Sequence, residues 1–135
     1  MKRITDKKTS VKKIAEKYGL KLVMFFGSFA SGKNRQDSDL DVAVLGSKEV
    51  SFQEQIDIIN KFSEIFSENV DLSVLNNGNP LLLFEVSKNA KLLYGSDEEF
   101  MKFKLQAFRQ YNDYAQYFEM EKRLNKKIIE SYATR

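Results

Sequence analysis

Asp39 and Asp41 stand at i and i+2 at the head of an apolar run, residues 40–45, that has the length of a β-strand. Side chains alternate along a strand, so both carboxylates share a face with Ala43 and Leu45, while Leu40, Val42 and Val44 face the other way. The strand rise puts the two backbones roughly 6.6 Å apart, and two-metal sites hold their ions roughly 3.5–4 Å apart. Both side chains can therefore converge on one ion pair. Hard cations such as Mg²⁺ take oxygen ligands, typically one or two carboxylates plus substrate phosphates. Upstream, Gly27-Ser28 closes the continuous apolar run Leu22-Val23-Met24-Phe25-Phe26, which reads as a strand buried on both faces. Gly27 permits backbone conformations, and a close approach to a ligand, that a Cβ blocks. A short helix opening after it would turn its free N–H groups and the Ser28 hydroxyl toward a phosphate. A phosphate cradle beside a carboxylate pair points to nucleotide chemistry.

Composition narrows the chemistry further. The chain has 135 residues, enough for one domain, residues 1–135, with a proper core. It has no histidine, which removes Ser-His-Asp and Cys-His nucleophilic schemes, histidine metal sites and the usual neutral-pH proton shuttle. Carboxylates are left as the reactive groups. With no cysteine, no run long enough to span a bilayer and no basic-then-apolar leader, the expected setting is the cytoplasm. The net charge of +3 is uneven: residues 37–71 are acidic, whereas residues 1–21 and 100–135 are basic. An acidic middle suits a metal site, and basic ends suit a solvated surface or an acidic partner. No aromatic-basic RNA-reading motif appears, so direct nucleic-acid binding is not expected.

The elements that must position these residues can be read in turn. Residues 1–9 read as frayed, and Ser10 as the cap of a helix with Val11, Ile14, Ala15 and Tyr18 inward and Gly19 as its stop. Residues 33–38 form a polar loop that leaves a ligand accessible. Ser51-x-x-Glu54 is a capping box ahead of a helix whose inward stripe is expected at Phe52, Ile56, Ile59, Phe62 and Phe66. In residues 70–75, Val70, Leu72 and Val74 take one face, and Asp71 and Ser73 the other. If this strand lies beside 40–45, Asp71 points at the same ions as Asp39 and Asp41. Asn79 caps a short helix with Pro80 at its first position, residues 91–94 form an edge strand, and Ser96-x-x-Glu99 opens a long helix, 96–131. Phe100, Phe103, Phe108, Tyr111, Ala115 and Phe118 mark its expected apolar stripe. Such a helix outruns a small sheet, leaving a distal half with Tyr114, Tyr117, Phe118 and Tyr132 to meet a partner.

Gly27-Ser28-Phe29-Ala30-Ser31-Gly32, the spacer, Asp39-x-Asp41 and the later Asp71 resemble the nucleotidyltransferase superfamily that includes DNA polymerase beta. The short chain looks most like its minimal, or MNT, branch, whose members are often antitoxins of HEPN-type toxins. The resemblance covers nearly the whole chain and implies an α/β (α+β) fold: a mixed sheet flanked by helices, with a long C-terminal helix. It implies a Mg²⁺-dependent protein adenylyltransferase that moves AMP from ATP to a tyrosine hydroxyl of a HEPN toxin. Asp39, Asp41 and Asp71 would be catalytic and bind two Mg²⁺ ions, Asp71 also accepting the proton, with Gly27 and Ser28 binding the nucleotide phosphates. The partner is the toxin, in a hetero-oligomer with it or a homo-oligomer. In one departure, Ser31 stands where the pattern usually has arginine, and Lys33 or Arg35 in the following loop would have to compensate. That departure supports a rival reading, an antitoxin acting by direct binding alone, against which the intact carboxylate set argues. An antibiotic-modifying transferase would need more chain for its acceptor pocket, or a homodimer.

Overall fold

The computed structural model describes residues 4–27 and 39–133. Among the described residues, eight elements follow one another: α1 (Ile4–Tyr18), β1 (Leu20–Phe25), β2 (Leu40–Gly46), α2 (Phe52–Phe66), β3 (Val70–Val74), α3 (Pro80–Asn89), β4 (Lys91–Tyr94) and α4 (Asp97–Ala133). The strands form one mixed sheet in the order β3-β2-β1-β4. β1 runs antiparallel to both β2 and β4, and β2 pairs with β3 in parallel, as the crossover through α2 allows.

β1 is the most buried strand, as its unbroken apolar run requires: Leu22, Val23 and Met24 are fully buried and Phe25 nearly so. Alternation divides its side chains, and those of β2, between two cores. Val23, Phe25, Leu40, Val42 and Val44 join Val11, Ile14, Ile58 and Phe62 under α1 and α2. Leu22, Met24 and Ala43 join Leu83, Val86, Phe103 and Ala107 under α3 and α4. Val70, Leu72 and Val74 pack against the first core, so the outward placing of Asp71 holds.

The helix ends follow their capping chemistry. Ser51 and Glu54 form the full reciprocal box, Asn79 accepts from the Leu82 N–H ahead of Pro80, and the Ser96 hydroxyl accepts from the Glu99 N–H. Gly19, at φ +66°, ends α1 in the left-handed conformation.

Three expectations about helices need correcting. α1 begins at Ile4, so Ser10 lies inside the helix and the region 1–9 is not frayed throughout. The buried stripe of α2 is Ile58, Phe62 and Phe66, whereas Phe52 is 78% exposed and Ile56 also faces out. Phe52 and Ile56 belong to a neighbouring ridge: at about 100° per residue they point roughly a quarter-turn or more away from the sheet-facing line. On α4 the i+4 partner of buried Phe103 is Ala107, and Phe108, a further 100° round, is exposed. A small residue fits there because α4 lies close against α3, where Tyr111 stacks on Phe84 with ring centroids 3.8 Å apart.

Candidate active site

The carboxylates meet where β2 and β3 start. The Leu40 N–H donates to the Asn69 carbonyl (2.8 Å), and the parallel register then sets Leu40 opposite Val70 and Asp41 opposite Asp71. Residues paired across a sheet share a face, and neighbouring strands lie only about 4.8 Å apart, so the two carboxyl groups are neighbours. On the other side of β2, the Phe26 N–H donates to the Asp41 carbonyl (3.1 Å), which carries the β1–β2 ladder up to Gly27. One residue of β2 is thus bracketed by the end of β1 and the head of β3.

Asp41 is half-buried and Asp71 and Asp39 are exposed. Burial, first, pushes the Asp41 carboxyl above its ordinary value; the charges of Asp71 and Asp39 add to this, as does a hydrogen bond with Asp71. Among the described residues no lysine or arginine forms an ion pair with any of the three. Nor are three His, Asp or Glu side chains among them gathered closely enough to enclose a metal ion by themselves. Asp39 sits just before β2, near enough for its charge to reach Asp41. Two adjacent carboxylates, a third close by and no described cation make a donor set that fits a divalent metal sharing its coordination with phosphate oxygens.

Gly27 adopts φ +71°. A Cβ built on it would run into Asp41 Oδ2 and lie 3.2 Å from Asp41 Cγ. Ser28, the second phosphate candidate, lies outside the described residues, as do Ser31, Lys33 and Arg35. Strand alternation gave Asp41 and Asp71 their faces, while the adjacency of their strands and the register that pairs them come from the fold. The contact between Gly27 and Asp41 was not legible, because it arises only from the register of β1 on β2.

The mixed sheet thus brings an acidic pair at its strand starts beside a glycine just past the end of β1. The chain belongs to the polymerase beta nucleotidyltransferase family, whose model matches residues 9–99. It is similar to the protein adenylyltransferase MntA of Shewanella oneidensis, with 28% identity over 80 residues, 59% of this chain and 58% of that protein. A Methanocaldococcus jannaschii relative is 31% identical over 65 residues, 48% of this chain and 66% of its own length. The chain thus spans less than two thirds of either curated relative. Its fold matches a chain of a toxin–antitoxin crystal structure with AMP-PNP (TM-score 0.72, 22% identity, 90% of this chain and 97% of that one). It also matches one from a tri-AMPylated Shewanella oneidensis HEPN toxin in complex with its MNT antitoxin (TM-score 0.68, 19% identity, 94% and 98%). The mixed sheet and long C-terminal helix are therefore those of the nucleotidyltransferase fold.

α4 is the other notable surface. No residue beyond Ala107 on it is buried among those described, and Tyr117, Met120, Leu124 and Ile128 line one exposed face. Arg123, Lys127 and Glu121 border the same shallow groove. Tyr114 packs on Phe118 and Tyr117 within the helix itself, at centroid distances of 4.7 and 5.8 Å. No described helix is long and apolar enough to cross a membrane.

Proposed function

We propose that this protein is an antitoxin that transfers AMP from ATP to a tyrosine hydroxyl of a partner HEPN toxin and so neutralises it. The register that sets Asp41 against Asp71 carries this reading. Its support is the family membership, the likeness to a relative named as a protein adenylyltransferase, and the fold shared with antitoxins crystallised with their toxins.

Asp39, Asp41 and Asp71 would hold Mg²⁺, which when bound offsets phosphate charge and eases ionisation of a hydroxyl. Asp71, the most exposed partner of the pair, accepts the proton as the tyrosine oxygen bonds to the α-phosphorus. The bond from that phosphorus to the bridging oxygen breaks, and pyrophosphate leaves with the electron pair. Gly27, just past the end of β1, and Ser28 would contribute N–H groups to the departing phosphates. Asp41, with its carboxyl pushed up by burial and like charge, is the group that a cation relieves most. The exposed apolar face of α4 supplies a docking surface for the toxin, and that same face favours the second reading, inhibition by contact alone.

The test is the Asp39→Asn, Asp41→Asn double variant, incubated with the toxin encoded beside this protein, Mg²⁺ and each nucleoside triphosphate. The wild type adds mass to the toxin in steps of one AMP, and the folded double variant adds none. Wild-type transfer by the double variant would overturn the assignment.

A further inference from the structure

We propose that Gly27 is a positioning residue for Asp41: the space its missing side chain leaves is the space the Asp41 carboxylate occupies. The inference rests on the catalytic reading of Asp41 above and gives Gly27 a task separate from admitting a phosphate.

The three heavy atoms nearest to a Cβ at position 27 are Oδ2, Cγ and Cβ of Asp41, the last two at 3.2 and 3.5 Å. Among the described residues the conflict is therefore with this one side chain. The backbone cannot slide to relieve it, because the Phe26 N–H is bonded to the Asp41 carbonyl and Phe25 is in register with Val42. The carboxylate must instead rotate out of the place it holds beside Asp71. Gly19 separates this steric need from the conformational one: it has nearly the same backbone angle, φ +66° against +71°, yet a Cβ there meets nothing within 4 Å among the described residues beyond its chain neighbours. Alanine at either position incurs the left-handed backbone penalty. Only alanine at 27 also displaces a carboxylate.

The experiment compares the wild type with Gly27→Ala, Asp41→Ala, the double variant Gly27→Ala with Asp41→Ala, and Gly19→Ala as the backbone control. Thermal midpoints are read in metal-free buffer, and Mn²⁺ binding without nucleotide by electron paramagnetic resonance. The inference predicts that Gly27→Ala weakens Mn²⁺ binding by about tenfold or more, as losing the orientation of a ligand does, while Gly19→Ala leaves it unchanged. In the Asp41→Ala background, Gly27→Ala lowers the midpoint only as much as Gly19→Ala does in the wild type, and weakens Mn²⁺ binding no further. A Gly27→Ala protein that fails to fold alone but folds with Asp41→Ala also supports the inference. Additive midpoints, unchanged Mn²⁺ binding with only ATP affinity lost, or a double variant that still fails to fold would overturn it. If Asp41→Ala itself retains AMP transfer, it is the catalytic reading that fails.

Discussion

Cutting the chain after Asn112 should leave a folded protein that has lost its partner. The cut removes the last part of α4 but keeps Phe103, Ala107 and the Tyr111 ring stacked on Phe84, which tie the helix to the second core. Beyond it, Tyr114 packs on Tyr117 and Phe118, and Met120 and Leu124 are 69% and 58% exposed. None of the described residues the cut removes is buried, so their loss costs folding about 1 kcal/mol or less, a change of roughly 4 °C or less in Tm. Binding should suffer far more. Tyr117, Met120, Leu124 and Ile128 form one face at spacings of three, four and four, and large anchors at an interface cost 1 kcal/mol or more each on removal, by the usual order of magnitude. Losing all four weakens toxin binding by about 4 kcal/mol or more, or roughly a thousandfold in Kd. Calorimetric titration of the toxin, beside a thermal melt, reads both quantities. A truncated chain that cannot fold would show that the distal helix belongs to the core. A folded one with full affinity would show that the toxin docks elsewhere.

Asp41→Asn should stabilise the metal-free protein at neutral pH by about 1 kcal/mol or less, solvent screening limiting the gain. Because the folded protein raises this carboxyl, it binds the proton more strongly than the unfolded chain, so stability falls as pH rises from the ordinary carboxylate range through the raised value. Urea titrations should find the two proteins alike at acid pH and the variant ahead at neutral pH; a wild type that is the more stable at neutral pH without metal would contradict the charge argument. Phe62→Ala should cost about 3–5 kcal/mol, since the ring is fully buried and packs on Phe66 at 6.2 Å. A urea midpoint within the equivalent of about 1 kcal/mol of the wild type would mean that α2 is not seated on the sheet as described.

Local chemistry made most of this fold legible. The Ser51-Glu54 box, Asn79 ahead of Pro80 and Gly19 each act within a turn of the helix they bound, so a linear reading finds them. Strand alternation likewise separated Asp71 from Val70, Leu72 and Val74. The helix faces were less legible, because Phe52, Ile56 and Phe108 are as apolar as the residues that are buried, and only the seating of each helix on its neighbours decides between adjacent ridges. Contacts between distant strands were invisible. Nothing in the spacing reveals that the Asn76 side chain bonds to Gly46 N and O and to the Lys48 carbonyl, tying β2 to β3 at the end away from the carboxylates. The close approach of Gly27 to Asp41 is of the same kind, with conformational permissiveness written in the glycine and its neighbour supplied by the fold.

Whether this protein changes its partner or merely holds it is decided by weighing the toxin after this protein has been removed. The toxin is mixed with substoichiometric wild type, ATP and Mg²⁺, separated, and examined by intact mass and for residual activity, in parallel with the Asp71→Asn variant. Asparagine keeps the size of the side chain but is neutral and a far weaker base, so it probes charge rather than packing. The predicted result is a toxin that stays inactive and heavier by whole AMP units with the wild type, and unmodified with Asp71→Asn. An unmodified toxin, inhibited only at equimolar protein and without need of ATP, would contradict it.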